Sequence, residues 1–216
     1  MASYRIGIDV GGTFTHAVAL EARGLEVVAQ VKVPTTHRAE RGVAEGVVQA
    51  LRALLDGSGT SPDEVSFLAY STTQVTNALL EGDVAPVGII AVGSGIEGRR
   101  AGKETRVGDI ALAPGKALHT VHTYLEADDL SDAAVDAALA DLREAGAAAV
   151  VAAEAFSVDD PRREQAIMAR AAAAGMPSTG THEITGRYGL RIRTRTAVIN
   201  ASLLPKAIAT ADRLGA

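Results

Sequence analysis

The sequence predicts an α/β fold in which a mixed sheet opens with three antiparallel strands and carries helices on both faces. Two patterns carry this expectation. Three strand-like segments follow one another before any helical stripe, and β and α patterns alternate from there onward. Composition is the third observation: of 216 residues, 47% are hydrophobic and 22% charged, as in folded chains. A chain of this size hides about 70% of its unfolded surface. Aromatic residues make up only 3%, so Ala, Val, Leu and Ile must build the core.

Residues 4–10 and 14–20 read as strands joined by the short turn Gly11-Gly12-Thr13, and residues 25–33 as a third strand entered from Gly24. Val43, Val47, Leu51, Leu54 and Leu55 give residues 39–55 a helical stripe, ended by Gly57-Ser58-Gly59. Ser61-Pro62-Asp63-Glu64 suits a capped turn, followed by a strand over 65–70 and a short helix over 73–80 that Gly82 stops. Residues 84–92 read as a buried strand and the glycine-rich stretch to Gly108 as a loop, with another strand at 121–125. Ser131 is an N-cap for a helix to Glu144, 147–152 a central strand, and Pro161 the first turn of a helix to about Ala174. The last helix is expected from near Thr194, interrupted around Pro205. This βββα order followed by alternation resembles that of the ribonuclease-H-like unit of actin-like ATPases.

Several functions are excluded at this level. The net charge is −5, and the densest basic residues, Arg99, Arg100, Lys103 and Arg106, alternate with Glu97, Glu104 and Asp109, so nucleic acid is not expected as a partner. Without cysteine there are no disulfides or thiolate metal sites, which fits a cytoplasmic location. Residues 1–5 do not start a secretory leader, and the longest apolar run, 145–153, is too short to span a bilayer.

The sharpest local feature is Asp9-Val10-Gly11-Gly12-Thr13-Phe14-Thr15. Two glycines permit positive φ and close approach of backbone to a ligand, and successive N–H groups in such a turn form an anion nest. Thr13 and Thr15 add hydroxyls, and Asp9 at the strand end can hold hydrated Mg²⁺. The competing reading is a plain hairpin in which Gly-Gly serves only the backbone.

Residues 6–15 (Ile-Gly-Ile-Asp-Val-Gly-Gly-Thr-Phe-Thr) resemble the N-terminal signature of the hydantoinase A/5-oxoprolinase family. Ser71-Thr72-Thr73-Gln74-Val75-Thr76-Asn77-Ala78 is similar to that family's Gly-Thr-Thr-x-x-Thr-Asn-Ala block, and Pro86-Val87-Gly88-Ile89-Ile90 to the strand after it. Phe156-Ser157, Asp160-Pro161-Arg162-Arg163-Glu164 and 193–201 (Arg-Thr-Arg-Thr-Ala-Val-Ile-Asn-Ala) match further blocks in order. The resemblance implies a hydantoinase/oxoprolinase N-terminal domain over 1–216, with a subdivision expected near 115–125. It implies ATP and Mg²⁺ as cofactors, a cyclic amide substrate opened after phosphorylation, and a hydantoinase B-type subunit as partner. Asp9 would then seat the metal, Gly11, Gly12, Thr13 and Thr15 would hold phosphate oxygens, and Thr72, Thr73 and Asn77 would face the same cleft.

There are departures. His16 stands where the family usually has Asp, Ser71 where Gly is usual, and Gly93-Ser94-Gly95-Ile96 in place of a Gly-Phe pair. No second Asp-x-Gly-Gly-Thr occurs, so the chain reads as a half that is incomplete without a C-terminal portion. The alternatives are a non-catalytic assembly or regulatory half-domain and, ranked last, an actin-fold small-molecule kinase or reactivase-type ATPase.

Other candidates are read as structural. Gly93-Ser94-Gly95-Ile96-Glu97-Gly98 matches the dinucleotide fingerprint in form, but the absence of an apolar stripe after it predicts a loop rather than the helix the fingerprint needs. His119 and His122 read as exposed, the carboxylates Asp128-Asp129 and Asp159-Asp160 as helix-start residues, and Arg193 and Arg195 as a surface helix start.

Overall fold

The computed structural model describes residues 3–36, 39–40, 42–72 and 74–215, the side chains at 72, 74, 75 and 213–215 excepted. The chain forms two compact units, Met1–Asn77 with Ile208–Ala216, and Ala78–Ala207.

In the first unit β1 (Tyr4–Val10), β2 (Phe14–Glu21) and β3 (Val27–Pro34) are antiparallel, and β4 (Val65–Thr72) lies parallel to β1, giving the order β3-β2-β1-β4. β3 starts two residues later than expected because Leu25, at φ 56°, closes a tight turn in which its amide donates to the Glu21 carbonyl at 2.9 Å. The helix α1 (Val43–Ser58) begins after Gly42, whose φ of 60° and ψ of −138° are not helical. Thr36 anchors that start: its hydroxyl donates to the Gly42 carbonyl at 2.7 Å and accepts from the Gly46 amide at 2.8 Å. Alternation along the strands sends Ile6, Ile8, Val10, Ala17 and Ala19 toward Val43, Val47, Ala50 and Leu54 of α1.

The helix α2 (Gln74–Glu81) contains the boundary between the units. The second unit holds a parallel sheet of order β10-β9-β5-β8, made of β5 (Val87–Gly93), β8 (Thr120–Glu126), β9 (Ala149–Glu154) and β10 (Ser178–Gly180). A small hairpin, β6 (Ile110–Ala113) with β7 (Lys116–Leu118), precedes β8. The helix α3 (Gly95–Glu104) joins the apolar cluster on one sheet face together with α7 (Leu190–Ala201). On the other face α4 (Asp132–Glu144) and α5 (Arg162–Ala173) pack over Ile90, Val92, Val150 and Ala152. Ser131 caps α4 by accepting from the Ala134 amide at 3.2 Å. A one-turn helix, α6 (Thr181–Ile184), precedes α7, and α8 (Leu204–Gly215) follows it with Pro205 in its first turn, where proline is tolerated.

The helix α3 replaces the loop expected after Gly93. It buries only Gly98 and Ala101, so no apolar stripe marks it in the sequence. Close approach holds it instead: a Cβ on Gly98 would lie 2.6 Å from the Gly93 carbonyl carbon and 2.3 Å from the Tyr124 hydroxyl. The last long helix also starts earlier than Thr194, at Leu190, after Gly189 at φ 113°.

Candidate phosphate-binding site

The turn between β1 and β2 is a two-residue loop. Val10 pairs with Thr15, and the Gly11 amide donates to the Phe14 carbonyl at 3.0 Å, leaving Gly12 and Thr13 at the tip. The residue after β3 straps this turn from the side: Thr35 donates its hydroxyl to the Gly11 carbonyl at 2.8 Å and its amide to the Thr13 carbonyl at 2.9 Å. Thr15 is fully buried on the α1 side, its hydroxyl 3.3 Å from that of Thr35. Thr15 and Thr35 thus fix the shape of the turn from beneath.

Neither Gly11 nor Gly12 adopts the positive φ that the two glycines permit. What they provide is space. A Cβ on Gly11 would sit 3.1 Å from the Phe14 carbonyl oxygen, and one on Gly12 would sit 3.5 Å from the side-chain amide nitrogen of Asn77. Gly12 and Asn77 are therefore neighbours, 65 residues apart in a sequence that flagged both. Gly11 spends its amide inside the hairpin and contributes room rather than a donor.

Asp9 alternates with the buried Ile8 and Val10, so it lies exposed on the sheet face opposite α1. Strand register places Ser71, Asp9, His16 and Lys32 in one row across that face, all four exposed. Directly opposed side chains in such rows have Cβ atoms about 5 Å apart. His16 therefore flanks Asp9, and the Lys32 ammonium stands 3.9 Å from the Phe14 ring centroid beside it. Thr13 is exposed at the tip, and Thr72 pairs with Val10 at the end of β4. Thr73 lies outside the described residues.

One carboxylate with neighbouring hydroxyl and amide groups is a donor set for a cation that keeps most of its water. Mg²⁺ binds in this way, through one or two carboxylates and the phosphates it accompanies. Among the described residues no three His, Cys, Asp or Glu side chains cluster; the exposed carboxylate of Asp9 fits an ion that arrives with a phosphate and keeps most of its water.

The later sequence blocks meet in the second unit, at the end of β9, as a buried clamp. Glu164 is fully buried; its carboxylate accepts from the Glu154 amide at 2.8 Å, the Thr181 hydroxyl at 2.6 Å, and the His182 amide and ring Nδ1–H at 2.9 and 2.5 Å. Arg193, expected on the surface, is 1% exposed and donates to the carbonyls of Glu154 at 2.8 Å, Ala155 at 3.1 Å and Arg187 at 3.2 Å. Burial pushes its guanidinium below the usual arginine range. Burial likewise raises the Glu154 carboxyl, against the pull of Arg163 at 2.7 Å. Asp160 takes the helix-start role expected of it, accepting from the Arg162 amide at 3.2 Å. Thr35 was not flagged in the sequence, because a lone threonine after a strand carries no spacing signal; Glu164 and Arg193 of the clamp lie in the matched blocks, but the bonds within the clamp are not readable from spacing.

Comparison with known proteins agrees with this architecture. The hydantoinase/oxoprolinase N-terminal region matches residues 5–175. The caprolactamase alpha subunit of Pseudomonas jessenii is 30% identical over 228 residues, covering 94% of this chain and 31% of that protein. The crystal structure of the ATP-dependent caprolactamase from Pseudomonas jessenii superposes with a TM-score of 0.61 at 26% identity, over 98% of this chain and 33% of the other. A nucleotide-free acetone carboxylase, from a study of ATP-dependent acetone carboxylation, gives a TM-score of 0.66 at 18% identity, over 100% of this chain and 34% of the other. The chain spans about a third of the length of these relatives. Among the described residues no helix is long and apolar enough to cross a membrane.

Proposed function

The chain belongs to the hydantoinase/oxoprolinase family as its N-terminal region, and on that premise we propose that it is the phosphate-binding part of an ATP-dependent enzyme that opens cyclic amides. The single observation that supports this reading is that the Asn77 amide lies against the side-chain-free Gly12, at the turn that follows the exposed Asp9. Asp9 would hold the waters of a phosphate-bound Mg²⁺, Thr13 and Asn77 would donate to phosphate oxygens, and Gly12 would let them approach. Preorganised donors of this kind act where charge builds up as a phosphoryl group moves. The nucleotide, when bound, would supply the phosphoryl group that makes an amide carbon easier for water to attack. The remaining two-thirds of the relatives' length would complete the nucleotide pocket, and a B-type subunit would join it.

His16 supports a second reading. It places an imidazole beside Asp9 where the family usually has an acid, and a non-catalytic assembly half-domain would tolerate that. Calorimetric titration with Mg·ATP separates the two. The enzyme reading expects weak binding that Asp9→Asn and Gly12→Val each reduce about tenfold or more; heat that neither substitution changes would discard it.

A further inference from the structure

The sequence intersperses acids among Arg99, Arg100, Lys103 and Arg106, but α3 and the segment after it sort them. Arg100 pairs with Glu104 at 2.9 Å and has Glu97 nearby, while Asp109 is held by His119 at 2.8 Å and by the Thr120 amide at 3.0 Å. Arg99, Lys103 and Arg106 fall on the other side and, among the described residues, enter no ion pair. They surround a cavity of about 650 Å³ between α3 and β8, within the second unit.

The opposite wall is one face of β8, where His122, Tyr124 and Glu126 alternate with residues of the other face. His122 and Glu126 are four steps apart along the strand, about 13 Å. Gly98 and Gly102 keep α3 free of side chains there, Gly102 lying against the Tyr124 ring. The two ends differ in chemistry. Arg106 stands at the His122 end, whereas Arg99 and Glu126 stand at the Tyr124 hydroxyl, Glu126 at 3.4 Å from it. Thr105 donates its hydroxyl to the Ala101 carbonyl at 2.7 Å, so its oxygen accepts from His122 Nε2–H at 2.9 Å. That leaves His122 Nδ1 buried without a protein partner.

We propose that this cavity is a binding site for a small phosphomonoester with a hydroxylated body, its phosphate between Lys103 and Arg106 and its hydroxyls donating to Glu126. Lys103 and Arg106 toward the His122 end and one acceptor carboxylate at the Glu126 end match that pairing of groups. A dianion satisfies cations that the protein leaves unpaired, and charge-assisted hydrogen bonds are the strong ones. The site lies in the second unit and the β1–β2 turn in the first.

The test is calorimetric titration of the full chain with ribose 5-phosphate at low ionic strength, with ribose and inorganic phosphate as separate arms. Ribose 5-phosphate should bind and ribose should not. The double substitution Lys103→Gln with Arg106→Gln should weaken binding about tenfold or more. Glu126→Gln should weaken ribose 5-phosphate while leaving inorganic phosphate unchanged, and Asp9→Asn should alter neither. All three changes are at exposed side chains, and circular dichroism reports whether the fold is kept. No binding of ribose 5-phosphate, or binding indifferent to the Lys103 and Arg106 changes in a folded protein, overturns the proposal. So does binding abolished by Asp9→Asn, which would assign the phosphate to the turn.

Discussion

The two sheets are built on different terms. In the second unit β9 is buried at all six positions and β5 at six of seven, because helices cover both faces. In the first unit α1 covers one face, and β4 is exposed through Phe67 at 51%, Leu68 at 52% and Tyr70 at 36%. Parallel strands buried on both sides read as continuous apolar runs, and half-covered sheets alternate. The contrast teaches where each unit's stability and chemistry lie. The second unit is held by a double-sided core and a buried polar clamp. The first leaves the face carrying Asp9 open.

Breaking the clamp should have the largest effect. Glu164→Ala strands the Glu154 amide, the Thr181 hydroxyl and His182 together, so chemical denaturation should show a loss of about 3–5 kcal/mol. Next come matched truncations in the two sheets. Ile90→Ala, at a fully buried site, should cost about 2–5 kcal/mol, whereas Leu68→Ala should change stability by about 0.5 kcal/mol or less. Equal costs would erase the distinction between the sheets.

A smaller effect is expected under the turn. Thr35→Val removes the strap to the Gly11 carbonyl and should cost about 1 kcal/mol, with faster exchange of the Gly11 amide that closes the turn. The smallest concerns Asp160, whose carboxyl is held down at about 2 by the Arg162 guanidinium and amide. Because its folded pKa is depressed, the stabilisation is present above the ordinary carboxylate value and fades as pH falls toward about 2. Carboxyl NMR titration of Arg162→Ala should return Asp160 toward the usual range.

Much of the fold was legible. The three opening strands, the α1 stripe, the Ser131 cap and the strands around Ile90 and Val150 each rest on local periodicity or capping. What escaped depends on distant partners. The helix α3 is stabilised by glycines that fit against Gly93 and Tyr124, and no stripe advertises such a fit. Arg193 reads as a surface charge until the carbonyls of Glu154 and Ala155 come around it. Of the two properties for which the Gly11-Gly12 pair was noticed, the turn does not use positive φ, while the room for close approach is there, with Gly12 next to Asn77. The partition of charge along α3 was hidden because a linear sequence interleaves residues that a helix separates.

The central claim is that the open turn between β1 and β2 receives nucleotide phosphate. Amide NMR of the chain titrated with Mg·ATP tests it directly. Shifts concentrated at Gly12, Thr13 and the Asn77 side-chain amide, with β5 and β9 silent, are the predicted result. Shifts confined to the second unit, or none at the turn, would contradict it.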